Sequence, residues 1–509
     1  MKPLKEVAKD KKKSYQDISI NTVHRSSLLV PKLEGNDTWI SFLNHFLIKR
    51  GIELVALKIS AYDNFGKSID SKTFEITEKK VYVYHLEKIF AQSEPHSYQI
   101  EFFSSKNLFI PFPAVMINHI TNLNWNIVHS YNRILNDPRE EEKISSINVD
   151  EAAIDLVNTN TQKTFVLFHT GQSKLDIDSK IEFILKKNEQ SAVPIKGYFD
   201  LKNMDTMSCK MILINEIFKS LPTIQKPEKY TLKVKPPKQS MFFGRMLVGG
   251  LDVSSKSISA NHSYYDSSKT KEYFEDPRSF ATFPYFEGYR NAIRFYPIIS
   301  PSKGQLNVYA TSLFEGELIT QPIFNKNYSP NASSLGLEIN YLIDRNSLID
   351  VKSFSIEYLS EDSLGSPTRV NHQLIYCPKE SKSMTTSINV SLLNKSINQL
   401  RSRTWIQLIN HEDISSLLGI SFINFDIDTI KQNNKKKEHK VELDIYDQKG
   451  LFKSTSFDLS EMDSLVFKSF ELCPSQFFWV IAKSDHPGLK LFTFQTNNKS
   501  GYSSGEHGF

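Results

Sequence analysis

The sequence predicts an all-β chain of tandem, duplicated β-sandwich units, jelly-roll or Ig-like, with few short helices. Three observations carry this. Apolar residues recur at period two in short runs. Turn residues break those runs at frequent intervals, and similar hairpin-like pieces return along the chain. The fold assigns no function by itself, because sandwiches host many.

The runs begin after a polar stretch at 1–25, expected to be a flexible arm. LVALKISAYDNFGKSI (54–69) alternates and then turns at 63–66. KKVYVYHLEKIF, SYQIEFF, KTFVLFHT, KIEFILKK and KYTLKVK behave alike. Val, Ile, Phe and Tyr dominate them, as half-buried strands require. Helical periods are rare; 37–50, 151–157 and 215–220 are the candidates.

Self-comparison gives the organisation. Residues 55–76 match 441–459: Tyr62-Asp63 then Gly66 answers Tyr446-Asp447 then Gly450. Four further pieces (98–118, 230–249, 405–424 and 479–497) each open on an aromatic, alternate, pass a polar turn and end in an apolar strand. Their separations exceed solenoid periods of about 20–50 residues, so each belongs to a small domain. The expected division is unit 1 at 26–137, a charged linker at 138–146 and unit 2 at 147–268. An aromatic connecting loop follows at 269–290, then unit 3 at 291–430 and unit 4 at 438–509, the last two alternatively one domain. A chain of 509 residues suits about three or four domains.

Composition excludes several classes. With 39% hydrophobic and 23% charged residues the chain has material for several cores and is not a disordered polymer. A net charge of +5 over this length, with short basic runs at 11–13 and 435–440, argues against nucleic acid. No apolar run approaches the ~18 residues of a membrane helix, so no membrane insertion is expected. The N-terminal segment has no apolar core of a signal peptide. Cys209, Cys377 and Cys473 are few and scattered without a CxxC, which fits a reducing, cytoplasmic setting.

Histidines mark the first candidate site. His129-Ser130-Tyr131 and His262-Ser263-Tyr264 follow two of the matched hairpins, and Glu506-His507-Gly508 follows the last. If equivalent loops converge, His129, His262 and His507 would form a three-imidazole centre for one transition metal ion, Zn, Fe, Ni or Cu. The alternative is that each histidine caps a loop. No HxH or HExxH spacing supports a metal.

Arginine marks the second. In a lysine-rich chain Arg245, Arg278, Arg290 and Arg294 all fall within 240–297, among Tyr264, Tyr265, Tyr285 and Tyr289. Arg offers a planar fork that Lys lacks, and aromatic faces stack on sugar rings or on protein surfaces. The candidate ligand-binding set is Arg245, Tyr264, Tyr265, Asp266, Arg278, Tyr285, Glu287 and Arg290, with Tyr131 and Arg133 from the first repeat. Ion pairing with Glu275, Asp276 and Glu287, or an aromatic plug between sandwiches, would explain the same residues.

No Walker loop, GxGxxG or G-x-S-x-G elbow occurs, and no catalytic residue can be named. The leading expectation is a protein that binds a polar small molecule or glycan at a composite site between repeats. A metal-dependent enzyme and a structural interaction module are the alternatives, and an oligomer is compatible with each.

Overall fold

The computed structural model describes residues 24–104, 114–129, 133–134, 150–153, 156–171, 175–187, 192–202, 204–225, 230–237 and 246–266 in the first half. In the second it describes 277–295, 303–328, 335–361, 366, 370–379, 387–394, 403–422, 438–486 and 488–509. The protein is all-β, built of antiparallel sheets. Two units meet in the sequence near residue 270. Each holds two β-sandwiches.

In the N-terminal unit the first sandwich runs β1 (His24–Pro31), β2 (Asp37–Leu43), α1 (His45–Arg50), β3 (Val55–Tyr62), β4 (Ser68–Ile76) and β5 (Val81–His85). It continues with α2 (Leu86–Ile89), β6 (Ser97–Ser104), β7 (Met116–Ile120), β8 (Trp125–His129) and β9 (Arg133–Ile134). Its sheets are β4-β3-β6-β1-β9 and β5-β2-β7-β8. The second sandwich comprises β10 (Asp150–Ala153), β11 (Gln162–His169), β12 (Lys180–Lys187), β13 (Ile195–Asp200), β14 (Cys209–Leu213) and α3 (Ile214–Ile217). Then come β15 (Tyr230–Lys235), β16 (Leu247–Asp252), β17 (Ile258–His262) and β18 (Tyr264–Asp266). Its sheets, β13-β12-β15-β10-β18 and β14-β11-β16-β17, repeat the first order strand for strand.

In the C-terminal unit the third sandwich contains β19 (Arg278–Pro284), β20 (Tyr289–Phe295), β21 (Gly304–Phe314), β22 (Glu317–Tyr328), β23 (Leu335–Glu338) and α4 (Ile339–Arg345). It ends with β24 (Val351–Ser360), β25 (Val370–Pro378) and β26 (Ser387–Asn394). The fourth contains β27 (Arg403–Ile409), β28 (Ile414–Phe422), β29 (Glu438–Asp447), β30 (Gly450–Ser460), β31 (Ser464–Lys468) and α5 (Ser469–Leu472). It ends with β32 (Phe477–Ser484), β33 (Leu489–Asn497) and β34 (Ser503–His507). The fourth forms β30-β29-β32-β27 and β31-β28-β33-β34. In the third, β19 pairs with β26 and fuses both halves into one eight-stranded sheet, β22-β21-β24-β19-β26-β25-β20-β23. Counted within each sandwich, one row is always fourth-third-sixth-first and the other fifth-second-seventh-eighth.

Alternation builds these layers. β12 and β29 bury every second residue, so Ile181, Phe183 and Leu185, or Val441, Leu443 and Ile445, face a core while lysines and carboxylates face outward. The core of the second sandwich joins Phe168, Ile181, Phe183, Ile212, Leu232 and Val234. A short helix follows the fifth strand in all four sandwiches, seating an apolar residue (Leu86, Ile214, Ile339 or Leu472) as the chain crosses to the other sheet. No helix among the described residues is long and apolar enough to cross a membrane.

Several sequence expectations shift in position. The sequence suggests helix over 37–50, but 37–43 is a strand, buried on both faces from Ile40 onward, and helix begins only at His45. A continuous apolar run cannot be told from a helix by periodicity alone. The candidate at 151–157 begins in strand β10, and that at 215–220 overlaps α3, which ends at Ile217. Part of the expected connecting loop at 269–290 is β19, so the third sandwich starts before 291. The fourth starts at Arg403 rather than 438. The piece at 405–424 is the first and second strands of its sandwich, whereas 98–118, 230–249 and 479–497 span sixth and seventh strands.

Within the N-terminal unit the two sandwiches meet along β8 and β17. Asn124 Nδ2 donates to Ile258 O at 2.5 Å and to Ser259 Oγ at 3.2 Å, and Ala260 N donates to Asn126 Oδ1 at 2.8 Å. The turn after β3 contributes too. Gly66 has φ +73°, and a Cβ there would lie 1.7 Å from Thr206 O. Gly51, at φ +64°, faces open space. Gly51→Ala should therefore cost about 1 kcal/mol, the left-handed backbone penalty alone. Gly66→Ala should cost about 1–3 kcal/mol more by prising the sandwiches apart. Calorimetry of both variants separates the effects; equal losses would show that the Gly66 contact is not tight.

His119 on β7 and His169 on β11 are almost wholly buried. Burial pushes both imidazoles down to about 3 from 6.5. Both rings stay neutral in the folded chain, while the unfolded chain takes up protons below about pH 6.5. Their contribution is complete above that pH and is lost as pH falls from it towards 3, on the order of 1.4 kcal/mol per pH unit for each ring. His169→Gln should flatten the drop in urea midpoint between about pH 7 and pH 5. An unchanged slope would place the proton uptake elsewhere.

Candidate functional site

Of the residues singled out by sequence, Arg245 and Tyr131 lie outside the described residues. Tyr264, Tyr265 and Asp266 form β18 and stand opposite Ala152, Glu151 and Asp150. Arg133 stands opposite Leu28. Arg278 extends from β19 to Glu357 on β24, Nε to Oε1 2.8 Å. That carboxylate is 2% exposed and also accepts from Asn307 Nδ2 at 2.9 Å and Tyr309 OH at 2.8 Å. Arg290 grips Glu338 with Nε to Oε2 at 2.9 Å and a second contact from its terminal nitrogen. The Tyr285 hydroxyl accepts from Asn340 Nδ2 at 3.0 Å, and burial raises its pKa. Glu287 is exposed in the turn before β20. Both described pairs therefore tie strands or strand ends together, with partners far away in sequence.

The aromatics of this stretch pack inside the C-terminal unit. Phe286 lies edge-on to Tyr376 at 4.5 Å, Tyr289 edge-on to Phe494 at 5.3 Å, and Phe283 against Phe492 at 5.8 Å. They fill the seam between the third and fourth sandwiches.

The three histidines share one structural address. His129, His262 and His507 each end the eighth strand of a sandwich, opposite Met116, Leu247 and Phe492 of the seventh. Asn394 ends the eighth strand of the third sandwich. In the N-terminal unit the rings of His129 and His262 meet perpendicular at 4.8 Å, with ring nitrogens within 4.8 Å of one another. His262 Nδ1 donates to Ser263 O at 2.8 Å, which leaves the lone pair on Nε2 when the ring is neutral. His507 makes the same local bond, Nδ1 to Gly508 O at 2.9 Å, and its backbone N donates to the buried Glu506 carboxylate at 2.9 Å.

The C-terminal unit also carries a groove that sequence reasoning missed. Its volume is about 550 Å³. Ile414 and Leu417 of β28 supply apolar lining, and polar groups come from Asn410, His411, Ser415 and Asn498. Tyr289, Glu412, Ser416 and the residues Lys468–Phe470 complete it. Phe470 is 66% exposed, with Lys468 Nζ 5.9 Å from its ring centroid. Asn410 is locked by donation to Ser475 O at 3.1 Å and by acceptance from Ser469 Oγ at 2.6 Å. The polar tetrad Asn410-His411-Glu412-Asp413 between two apolar strands was the available signal.

Comparison with known proteins adds little. No protein-family profile and no curated protein sequence matches the chain. Among solved structures, a calcium-binding mutant of Bacteroides uniformis beta-glucuronidase 2 is similar at a TM-score of 0.16 and 7% identity, over 50% of this chain and 29% of that one. A second structure, of Bacteroides uniformis beta-glucuronidase, gives a TM-score of 0.14 and 10% identity, over 48% and 27%. A marsupial T cell receptor gives 0.10 and 8%, over 71% and 99%. The chain spans less than a third of the length of these glucuronidases. At such TM-scores the similarities carry no argument about this chain.

Proposed function

We propose that this chain is a binding protein, and that its C-terminal unit holds a polar, ring-containing ligand of the oligosaccharide class in the groove between Tyr289 and Phe470. The observation that carries the reading is the exposed Phe470 face beside a rim of amide, hydroxyl and imidazole groups. A sugar ring presents an apolar C–H face and an equatorial belt of hydroxyls. The aromatic face suits the first, while Asn498, Ser415, Ser416 and His411 suit the second. Open, solvated grooves of this kind favour modest affinity, because each hydrogen bond replaces one made to water.

A second reading keeps the metal. It is favoured by the His129–His262 contact, where two imidazoles sit at ligand spacing. A centre needs at least one further ligand, and a metal-bound water would then supply the nucleophile or base of an enzyme.

A glycan array followed by calorimetric titration tests the binding reading. Phe470→Ala should weaken binding about 5–10-fold, the worth of one stacked aromatic ring. Phe65→Ala removes a comparably exposed ring, 67% exposed, from the other unit and should change nothing. Glycan binding that survives Phe470→Ala unchanged, or no glycan bound at all, would sink the assignment of this groove.

A further inference from the structure

A second histidine cluster lies in the fourth sandwich, apart from both sites above. His439 sits near the start of β29, Glu461 in the turn after β30, and His486 in the turn after β32. The register explains their meeting. Val441 pairs with Ser484, so two residues further along the same ladder His439 comes level with His486. His439 also pairs with Leu459, which delivers Glu461 just beyond the end of that hairpin.

The geometry is convergent. Glu461 Oε1 is 2.9 Å from His439 Nε2 and 3.7 Å from His486 Nε2. The two rings lie 4.3 Å apart, and all three ligand atoms fall within 4.8 Å of one another. His439 is 4% exposed; the side chains of Glu461 and His486 are each 15% exposed. Phe422, the last residue of β28, closes one side with ring distances of 5.4 Å to His439 and 5.0 Å to His486. Asp485 Oδ1 stands 3.7 Å from His439 Nδ1, on the far side of that ring.

We propose that His439, Glu461 and His486 bind one divalent transition-metal ion, of which Zn2+ is the best fit. One imidazole would suffice to satisfy Glu461, yet two direct Nε2 towards the same oxygen. Tetrahedral zinc with bonds near 2.0–2.1 Å holds its ligand atoms about 3.3 Å apart, so the two histidine distances to Glu461 already bracket the bound spacing. Asp485, 3.7 Å from His439 Nδ1, would have to move closer to accept its N–H and complete the carboxylate–histidine–metal arrangement that fixes tautomer and raises ligand basicity.

The role of the ion is that of a clamp. Met462, next to Glu461, is fully buried at φ 67°, a backbone state that non-glycine residues seldom take. Its carbonyl accepts from Ser353 Oγ of the third sandwich, and Ser464 Oγ donates to Lys352 O at 2.6 Å. Pinning Glu461 to β29 and to the turn after β32 would hold this strained turn in the shape on which the third sandwich rests. Metal binding free energy then adds to folding free energy.

The test uses the full chain, stripped with chelator and titrated with Zn2+ and with Co2+ as a coloured probe. The expected result is one ion per chain bound at this site with a dissociation constant below about 10 µM. That ion should be lost in both Glu461→Gln and His486→Ala and kept in the His129→Ala, His262→Ala double variant. Zinc should raise the melting temperature by several degrees in the wild type and not in Glu461→Gln. Absence of Co2+ absorption bands in the wild-type chain would overturn the proposal whatever the variants do. Retention of the ion in Glu461→Gln and His486→Ala, or its loss only in the double variant, would also overturn it.

Discussion

The eighth strand is an edge, and an exposed edge must be covered. Its unpaired backbone groups invite further pairing unless something occupies them. Within the N-terminal unit β8 and β17 lie against each other, and the Asn124 and Asn126 amides satisfy backbone groups of the opposing strand. Within the C-terminal unit β26 pairs with β19, and β34 packs beside it where Gly505 leaves room for Ile388. Covering the edge thus settles how sandwiches pair inside each unit, and it carries the strand-end residues with it. His129 and His262 meet because they end the two strands that cover one another.

Much of this was legible because alternation is a local signal. Every second residue of β3, β12 or β29 had to face a core, and the sequence shows it without reference to anything distant. Strand rank is not local. The segment starting at Trp405 resembles the sixth-and-seventh-strand pieces because an aromatic start, an alternation and a polar turn look the same in any hairpin. Its rank as first and second strands explains why no histidine follows it. Histidine was expected after equivalent hairpins, and its address is the end of the strand that follows the seventh.

The arginines show the same limit. Carboxylates close in sequence are the partners the sequence offers, but β-pairing brings Glu357 to Arg278 and Glu338 to Arg290. Glu357 is a buried carboxylate whose lost hydration must be offset, and Asn307 and Tyr309 of β21 donate to it while Arg278 of β19 pairs with its charge. The scarce arginines do have a geometric task, in these two cases inside the fold. The groove escaped notice for a related reason. Tyr289, His411, Phe470 and Asn498 come from four separate segments and acquire meaning only as neighbours. His439 was hidden differently, in a lysine-rich loop that reads as solvated surface.

The groove and the His439 cluster occupy opposite ends of one strand pair. β28 and β31 run antiparallel from Leu417 opposite Lys468 to Ser421 opposite Ser464. Leu417 and Lys468 line the groove, whereas Phe422 and the turn before Ser464 close on the histidines. β31 is a five-residue edge strand, held in its sheet by β28 alone. Short edge strands open at low free-energy cost, and anchoring one end suppresses fraying at the other. An ion that fixed Glu461 would therefore hold Lys468 and Phe470 in place, although it touches neither. By reciprocity, a ligand that stacked on Phe470 would favour the closed turn to the same degree. The coupling needs no relay of side chains, only a strand too short to be stable at one end without the other.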